Sequence, residues 1–440
     1  MTGSRSQLML FLYSLCFTLG FIVALPYFLF QAIAHRKYTR GLFQRLGFLP
    51  EYIRQMKTGC IWIHTVSVGE FLALQPLISG LRRDYPDRHL AVSTTTLTGQ
   101  VVASQRLAGA ASVFYFPFDW KFAVRRSLDQ VRPAAVLIAE TEIWPNFLAE
   151  CHRRQIPVFL INGRISDKSF RRYRRIRWLV KPALESFHSL LMQNAADLER
   201  IRELGSPSER SHVLGNLKYD IASPATDNGR ALYFRELFGL APGTFTVVAG
   251  STMKGEEPLV GDALRLFKKV CPSAILILAP RHAERFDEAA TLLASQSWRF
   301  IRRSALEKNG TIVAGQDYEI LLLDSLGELA QVYALADVVF VGGSLVPTGG
   351  HNIIEPALYR KPILFGPHMD NFREMASVFA TSGAAWMVRD AGELAIRLAE
   401  LYRQPETRLR MGESGFQILE ANRGATQRTL DHLKVIFGRA

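Results

Sequence analysis

Cysteine is scarce in this sequence. Four occur among 440 residues, Cys16, Cys60, Cys151 and Cys271, and no two form a C-x-x-C pair. That excludes a disulfide-stapled scaffold and leaves zinc-ribbon and thioredoxin-like readings without support. The four read as buried, reduced thiols, in keeping with the cytosol. Neither G-x-G-x-x-G nor G-x-x-x-x-G-K-[ST] is present, which argues against a dinucleotide enzyme or a P-loop kinase. No D-x-D ends a strand-like run, and no His/Asp/Glu spacing reads as a metal site. There is no low-complexity tract and no repeat of solenoid period. Acidic residues are in deficit: 40 Asp+Glu against 53 Lys+Arg leave a net charge of +13. Such an excess points to an anionic partner: nucleic acid, an anionic membrane surface or a phosphorylated substrate. With 48% apolar and 21% charged residues the chain is not disordered. At about 150 residues per domain its length suggests two or three domains.

One long apolar run is present. Residues 8–30 carry no charge over 23 positions. At about 1.5 Å per residue a helix of that length reaches roughly 34 Å, against a hydrocarbon core of about 30 Å. Arg5 precedes it, while Arg36, Lys37, Arg40 and Arg45 follow. The positive-inside bias therefore puts the carboxyl side in the cytoplasm. Pro26 is expected to kink the last turn. The competing reading is a cleaved signal peptide, with Ala32-Ile33-Ala34 as its small-x-small site. The run is longer than the usual about 7 to 15 residues and its amino-terminal flank has a single basic residue, so an uncleaved anchor is the better reading.

Beyond this run, short apolar segments alternate with helical patterns. Residues 60–66, 89–93, 113–116, 134–139, 158–161 and 190–193 read as buried strands, with helices such as 70–82 and 145–153 between them. That is the signature of a parallel, doubly wound sheet. Residues 219–230 are polar and aperiodic, with Pro224 and Gly229, and read as a linker. The pattern then restarts with strands at 246–250, 274–279, 320–323, 338–341, 362–365 and 384–388. Two α/β domains follow, and ligands in such sheets bind outside the carboxyl ends of strands. The natural active site is the inter-domain cleft.

Several strand ends carry chemistry. The run from 61 to 66 leads into Ser67-Val68-Gly69-Glu70 and a helix. Glu70 reads either as a general base or as an acid complementing the helix dipole. Glu140 and Glu142 end another strand ahead of Trp144-Pro145-Asn146. They point the same way if the strand continues, or serve as first-turn helix acids with Pro145 at N1. Arg171, Arg172, Arg174, Arg175, Arg177 and Lys181 are interleaved with Phe170, Tyr173, Ile176 and Trp178. A solvated helix face, a membrane-binding surface and an RNA-binding surface all fit this cluster; with an anchor in the same chain, the membrane surface is favoured.

In the second half, Gly250-Ser251-Thr252 suits an anion or a nucleotide, or a plain capping box before Glu256 and Glu257. Pro280-Arg281-His282 ends a strand, and Arg281 reads as a phosphate ligand or a surface ion pair. Leu326-Gly327-Glu328 opens a helix. The richest stretch is Gly342-Gly343-Ser344 followed by Thr348-Gly349-Gly350-His351-Asn352-Ile353-Ile354-Glu355. Two glycine pairs between a buried strand and a helix start are expected to build a backbone-lined anion pocket. A carboxylate there is suited to a ribose diol.

The ordered blocks SVGE (67–70), TTTLTG (94–99), ETEIWPN (140–146), NGRISDKS (162–169), GNLKYD (215–220), PRH (280–282), LGE (326–328), GGSLVPTGGHNIIEP (342–356) and GPHMDNF (366–372) resemble the 3-deoxy-D-manno-octulosonic acid (Kdo) transferases of the lipopolysaccharide inner core. The resemblance spans essentially the whole chain. SVGE and ETEIWPN make it specific, since the glycine-rich stretch alone would fit many nucleotide-sugar transferases. It implies a GT-B fold of two Rossmann-like domains facing across a cleft, with an N-terminal transmembrane helix. The implied division is 1–35 membrane anchor, 36–222 acceptor-binding domain and 223–440 CMP-Kdo-binding domain. It implies inverting, metal-independent transfer of Kdo from CMP-Kdo to a lipid A precursor (lipid IVA), with no cofactor. By motif match Glu70 is the proton acceptor, and Glu140 and Lys218 stabilise the transition state. Pro280, Arg281, Leu326, Gly327, Glu328, Asn352, Ile353, Ile354 and Glu355 match CMP-contacting positions. Ala139 and Ile143 depart from the family's Met and Leu, without touching a charged role. The implied location is the inner membrane, single-pass, with catalytic domains on the cytoplasmic side and no nucleic acid partner. The rival enzyme is another membrane-associated GT-B transferase or epimerase using a UDP-sugar; the non-enzymatic rival is a membrane-tethered anion- or RNA-binding protein.

Overall fold

Runs of Val, Ile, Leu and Phe that are apolar at every position suit strands buried on both faces, and such strands build parallel sheets. A computed structural model describes residues 4–35, 41–220, 228–306 and 317–438. The first sheet holds β1 (Cys60–Thr65), β2 (Leu90–Thr94), β3 (Ser112–Tyr115), β4 (Pro133–Ala139), β5 (Val158–Gly163), β6 (Ser189–Met192) and β7 (Ser211–Val213). Their spatial order is β3-β2-β1-β4-β5-β6-β7, with every pair parallel. The second holds β8 (Thr246–Thr252), β9 (Ile275–Pro280), β10 (Phe300–Arg302), β11 (Ile320–Leu322), β12 (Val338–Val341), β13 (Ile363–Phe365) and β14 (Ala385–Met387). Its order is β10-β11-β9-β8-β12-β13-β14, again all parallel. Helices cover the sheets. Trp62, Phe114 and Phe147 pack on one face of the first sheet, and Ile61, Ile63 and Phe71 on the other. Phe267, Phe340 and Leu364 share the core of the second.

Strand order reverses between β1 and β4 in the first sheet and between β8 and β12 in the second. Those reversals are where an open parallel sheet leaves a crevice at its carboxyl edge. The residues following β1, β4, β8 and β12 therefore lie at those crevices, with those following β9 beside them.

All twelve expected strands are present. The two additional ones, β7 and β10, are three-residue edge strands whose Ser-His-Val and Phe-Ile-Arg sequences carry no buried run. The helix expected over 70–82 is two, Val68–Ala73 and Gln75–Asp84, the second with Pro76 in its first turn. The N-terminal helix, Ser4–His35, continues through Pro26. Cys16 lies exposed on it, against the expectation of a buried thiol; the other three cysteines are buried. Arg36, Lys37 and Arg40 lie outside the described residues, as does most of the expected linker.

The expected division at 223–440 needs correction at its far end. The chain forms two compact units, 1–221 with 422–440, and 222–421. The helix Ala425–Phe437 buries Leu430, Leu433 and Phe437 in the first unit's core. Gly80 is needed there, because a Cβ would stand 2.5 Å from Leu430. The Asp220 carboxylate accepts the N–H groups of Gly424 and Thr426 and so caps this helix. Nothing local in 422–440 signals which unit it joins.

Candidate active site

In the first unit Glu70 and Glu140 leave the carboxyl ends of β1 and β4, the two strands flanking the reversal. Ser67 caps the helix Val68–Ala73: its Oγ accepts the Glu70 N–H at 3.3 Å and donates to Glu70 Oε1 at 3.0 Å. Glu70 Oε2 accepts the Val66 N–H at 2.7 Å. The arrangement is a reciprocal cap, so the structural reading of Glu70 is realised. It also fixes the carboxyl at the sheet's edge. Burial, and next the Glu140 charge, push the Glu70 carboxyl up to about 7 despite those hydrogen bonds. An acid poised there suits a general base at neutral pH.

Glu140 does not continue the strand. Its backbone is left-handed, φ 54°, a conformation that costs a non-glycine residue energy and that clusters at functional sites. Of the two readings, neither a shared strand face nor a place in the first turn of the helix Pro145–Arg153 is realised for Glu140 and Glu142. Both nevertheless act on Glu70, and burial lifts Glu142 itself to about 7. Lys218 Nζ stands 3.0 Å from Glu140 Oε1, with both side chains mostly buried. A turn at Leu217–Asp220 delivers Lys218. That turn is pinned by Asn162 Oδ1 accepting the Leu217 N–H at 3.0 Å and by Asn216 Oδ1 accepting the Lys218 N–H at 2.9 Å. Gln193 links the two: its amide donates to the Asn162 carbonyl, and its oxygen accepts from Asn216, both at 3.0 Å.

In the second unit Arg281 follows β9 and its N–H donates to the Thr252 carbonyl at 3.0 Å. Burial raises the Glu355 carboxyl and lowers the His351 ring, and the nearby Arg281 charge lowers both. The net result is a Glu355 carboxyl above its ordinary value and a His351 ring lowered to about 4. Asn352 Nδ2 donates to Glu355 Oε1 at 3.0 Å, and the Asn352 oxygen accepts the Ile354 N–H at 3.0 Å. Gly250 leaves room for the Tyr333 hydroxyl, which would stand 2.1 Å from a Cβ.

One expectation fails here. The first glycine pair is not an open anion cradle. The fully buried Glu256 carboxylate already accepts the N–H groups of Gly343, Ser344 and Leu345, along with that of Met253 at 2.9 Å. Glu328 stands just before a short helix, Leu329–Val332. It forms a two-pronged bridge to the buried Arg303, at 2.6 and 2.9 Å. Leu326 is exposed and Gly327 has φ 87°, so the Leu326-Gly327 pair offers its backbone at the surface. Among the described residues no group of three His, Cys, Asp or Glu side chains is placed to hold a metal ion.

The family model described as 3-deoxy-D-manno-octulosonic-acid transferase (kdotransferase) matches residues 40–221. The 3-deoxy-D-manno-octulosonic acid transferase of Haemophilus influenzae is 33% identical over 409 residues, 92% of this chain and 93% of that one. This chain belongs to the Kdo transferase family. The Bordetella pertussis enzyme of the same name is 34% identical over 388 residues, 86% of this chain and 87% of its own. Among solved structures, the Anabaena HepE protein in complex with UDP aligns at a TM-score of 0.57 and 13% identity, covering 87% of this chain and all of that one. That likeness speaks for the GT-B type of fold alone.

As a Kdo transferase, the chain is a glycosyltransferase. Its sequence-expected residues fall into two groups by unit: Glu70, Glu140 and Lys218 converge in the first, and Arg281, Asn352 and Glu355 in the second. Ile353 and Ile354 are fully buried, so their side chains pack the core and their backbone alone is available. Pro280 ends β9, directly before Arg281. Sequence reasoning missed the supporting shell of Asn162, Gln193, Asn216 and Glu256. Asn162 had a signal in its Asn-Gly dipeptide, which marks a left-handed turn; its φ is 53°.

Proposed function

We propose that this chain transfers Kdo from CMP-Kdo to a lipid A precursor, lipid IVA, with inversion at the anomeric carbon and without a metal. Glu70 takes the proton of the attacking acceptor hydroxyl as the new glycosidic bond forms and the bond to CMP breaks. The observation that carries this reading is the Glu70 carboxyl, raised to about 7 at the crevice edge of the first sheet. Lys218, bridged to Glu140, supplies fixed positive charge beside the acids, placed to stabilise negative charge that develops there in the transition state. In the second unit Arg281 balances the departing CMP phosphate, and Glu355, steadied by Asn352, meets the ribose hydroxyls.

The membrane placement belongs to the same reading. The helix Ser4–His35 contains one stretch, Gln7–Pro26, apolar enough to enter a bilayer. We place the chain at the inner membrane with its catalytic units on the cytoplasmic side. On the helix Asp167–Arg175, Phe170 and Tyr173 pack inward and the arginines face out. That surface suits the headgroups of an anionic leaflet and a phosphorylated lipid acceptor, which accounts for the +13 charge without nucleic acid.

The test is incubation of purified protein with preformed CMP-Kdo and a tetraacylated, bisphosphorylated lipid A precursor in EDTA, read by mass spectrometry. A mass gain of one or more Kdo units supports the donor, the acceptor and the metal independence together. Folded protein giving no gain contradicts the reading.

A further inference from the structure

The N-terminal helix is fastened to the first unit by a polar stripe on an otherwise apolar surface. Tyr13 lies beside the Asp119 carboxylate. Asp119 is fully buried and also accepts the N–H groups of Asn146, at 3.0 Å, and Phe147, at 2.8 Å. The Asn146 amide donates to Ser14 Oγ at 3.0 Å, and the Trp120 indole donates to Thr18 Oγ1 at 3.0 Å. Phe17 and Phe21 pack on Trp120 with ring centroids 5.6 and 4.9 Å away. Positions 13, 14, 17, 18 and 21 lie on one face of a helix. The other face is bare: Leu8, Phe11, Leu12, Leu15, Leu19 and Ile22 are exposed.

Docking of this kind and spanning exclude one another. Gln7 and Leu10 line a cavity of about 590 Å³ together with Lys121, Arg125 and Arg153. Phe21 meets Phe118 and Trp120 some 14 residues further along, about 21 Å of helix. The docked length is thus most of a hydrocarbon thickness of about 30 Å. Were the helix to cross the bilayer in this state, Lys121, Arg125, Arg153 and the Glu150 that Arg125 and Arg153 bridge would be carried into the hydrocarbon with it. Charges at that depth face a bundle interior or water, whereas the exposed parts of Arg125 and Arg153 would face lipid.

We infer that the docked helix lies in the plane of the cytoplasmic leaflet, with both ends on the cytoplasmic side, rather than across the membrane. Its bare face enters the acyl layer, and Lys121, Arg125 and Arg153 sit at the level of the phosphates. This replaces the single-pass arrangement expected from length and hydropathy, and it rests on the membrane placement proposed above. It also gives the helix a positioning role. Asp119 and Asn146 hold the start of the helix Pro145–Arg153, which opens three residues after Glu142. The acidic segment is thereby set at a fixed height above the leaflet.

The test is side-specific labelling of the full chain in a Gram-negative host. A Thr2→Cys variant in a Cys16→Ala background is treated with a membrane-impermeant maleimide, in intact spheroplasts and in inverted inner-membrane vesicles. A Thr58→Cys variant, exposed on the first unit, reports the cytoplasmic side. The inference expects Thr2→Cys to behave as Thr58→Cys does, labelled in inverted vesicles with loss of labelling in spheroplasts. Labelling from the periplasmic side, or from neither side, overturns it. The readout needs no turnover, so failure here and failure of the transfer reaction are distinguishable.

Discussion

Replacing Glu256 by Gln probes how the donor-side loop is held. In the parent, one buried carboxylate accepts four backbone N–H groups, three of them from the consecutive residues Gly343, Ser344 and Leu345. The glycines leave no alternative: a Cβ on Gly342 would stand 2.5 Å from the Ser251 carbonyl, so the loop is pressed against β8. Gln keeps the shape but turns one oxygen into an NH2. Oε1 serves Ser344 and Leu345, so the NH2 faces the N–H groups of Gly343 and Met253. Two donors lose their acceptor, and each buried loss costs about 1–3 kcal/mol. A total of about 3–4 kcal/mol corresponds to a fall of about 10²–10³ in protection. The assay is native-state hydrogen exchange by mass spectrometry over peptides covering 340–356. Protection at Gly343–Leu345 should fall by that factor, while β1 and β4 peptides in the other unit keep theirs. CMP affinity should weaken too, since Asn352 and Glu355 leave the same loop. Unchanged protection would refute the latch.

Three further outcomes follow from the same geometry. Lys218→Ala strands Glu140 without its cation; kcat should fall by about ten-fold or more, and stability by about 1–3 kcal/mol in urea melts. CMP at a hundred times its Kd should stabilise the protein by about 2.7 kcal/mol in a thermal-shift titration, and UDP should not. Arg281→Ala should abolish that stabilisation and Glu70→Gln should retain it. Asp220→Ala removes the cap on the helix Ala425–Phe437 and should cost about 1–2 kcal/mol, with faster exchange confined to 422–437.

The strands that form the site were legible because a parallel sheet buries both faces, and β1, β4, β8 and β12 are written as unbroken apolar runs. Glu70 and Arg281 were legible because they come directly after such runs. Lys218 was not: its turn is polar and aperiodic, and resemblance to a family supplied it. Glu256 was legible as a helix acid only, because the amides it holds lie 87 to 89 residues away. The return of 422–440 to the first unit was hidden for the same reason, since Asp220 and Gly424 meet across 204 residues. The N-terminal helix was legible only in part. Hydropathy reports that it prefers lipid, whereas Tyr13, Ser14 and Thr18 decide what it lies against.

The central claim is that Glu70 removes the acceptor proton. The measurement is the single-turnover rate of Kdo transfer against pH, in the parent and in Glu70→Gln. A base must be ionised to act, and Glu70 is protonated below its raised value. The parent rate should therefore rise with pH through about 7 and level off above it. Glu70→Gln should lose about 10²–10⁴ in rate and lose that rise, while still binding CMP. A variant that keeps both the rate and the rise would contradict the account.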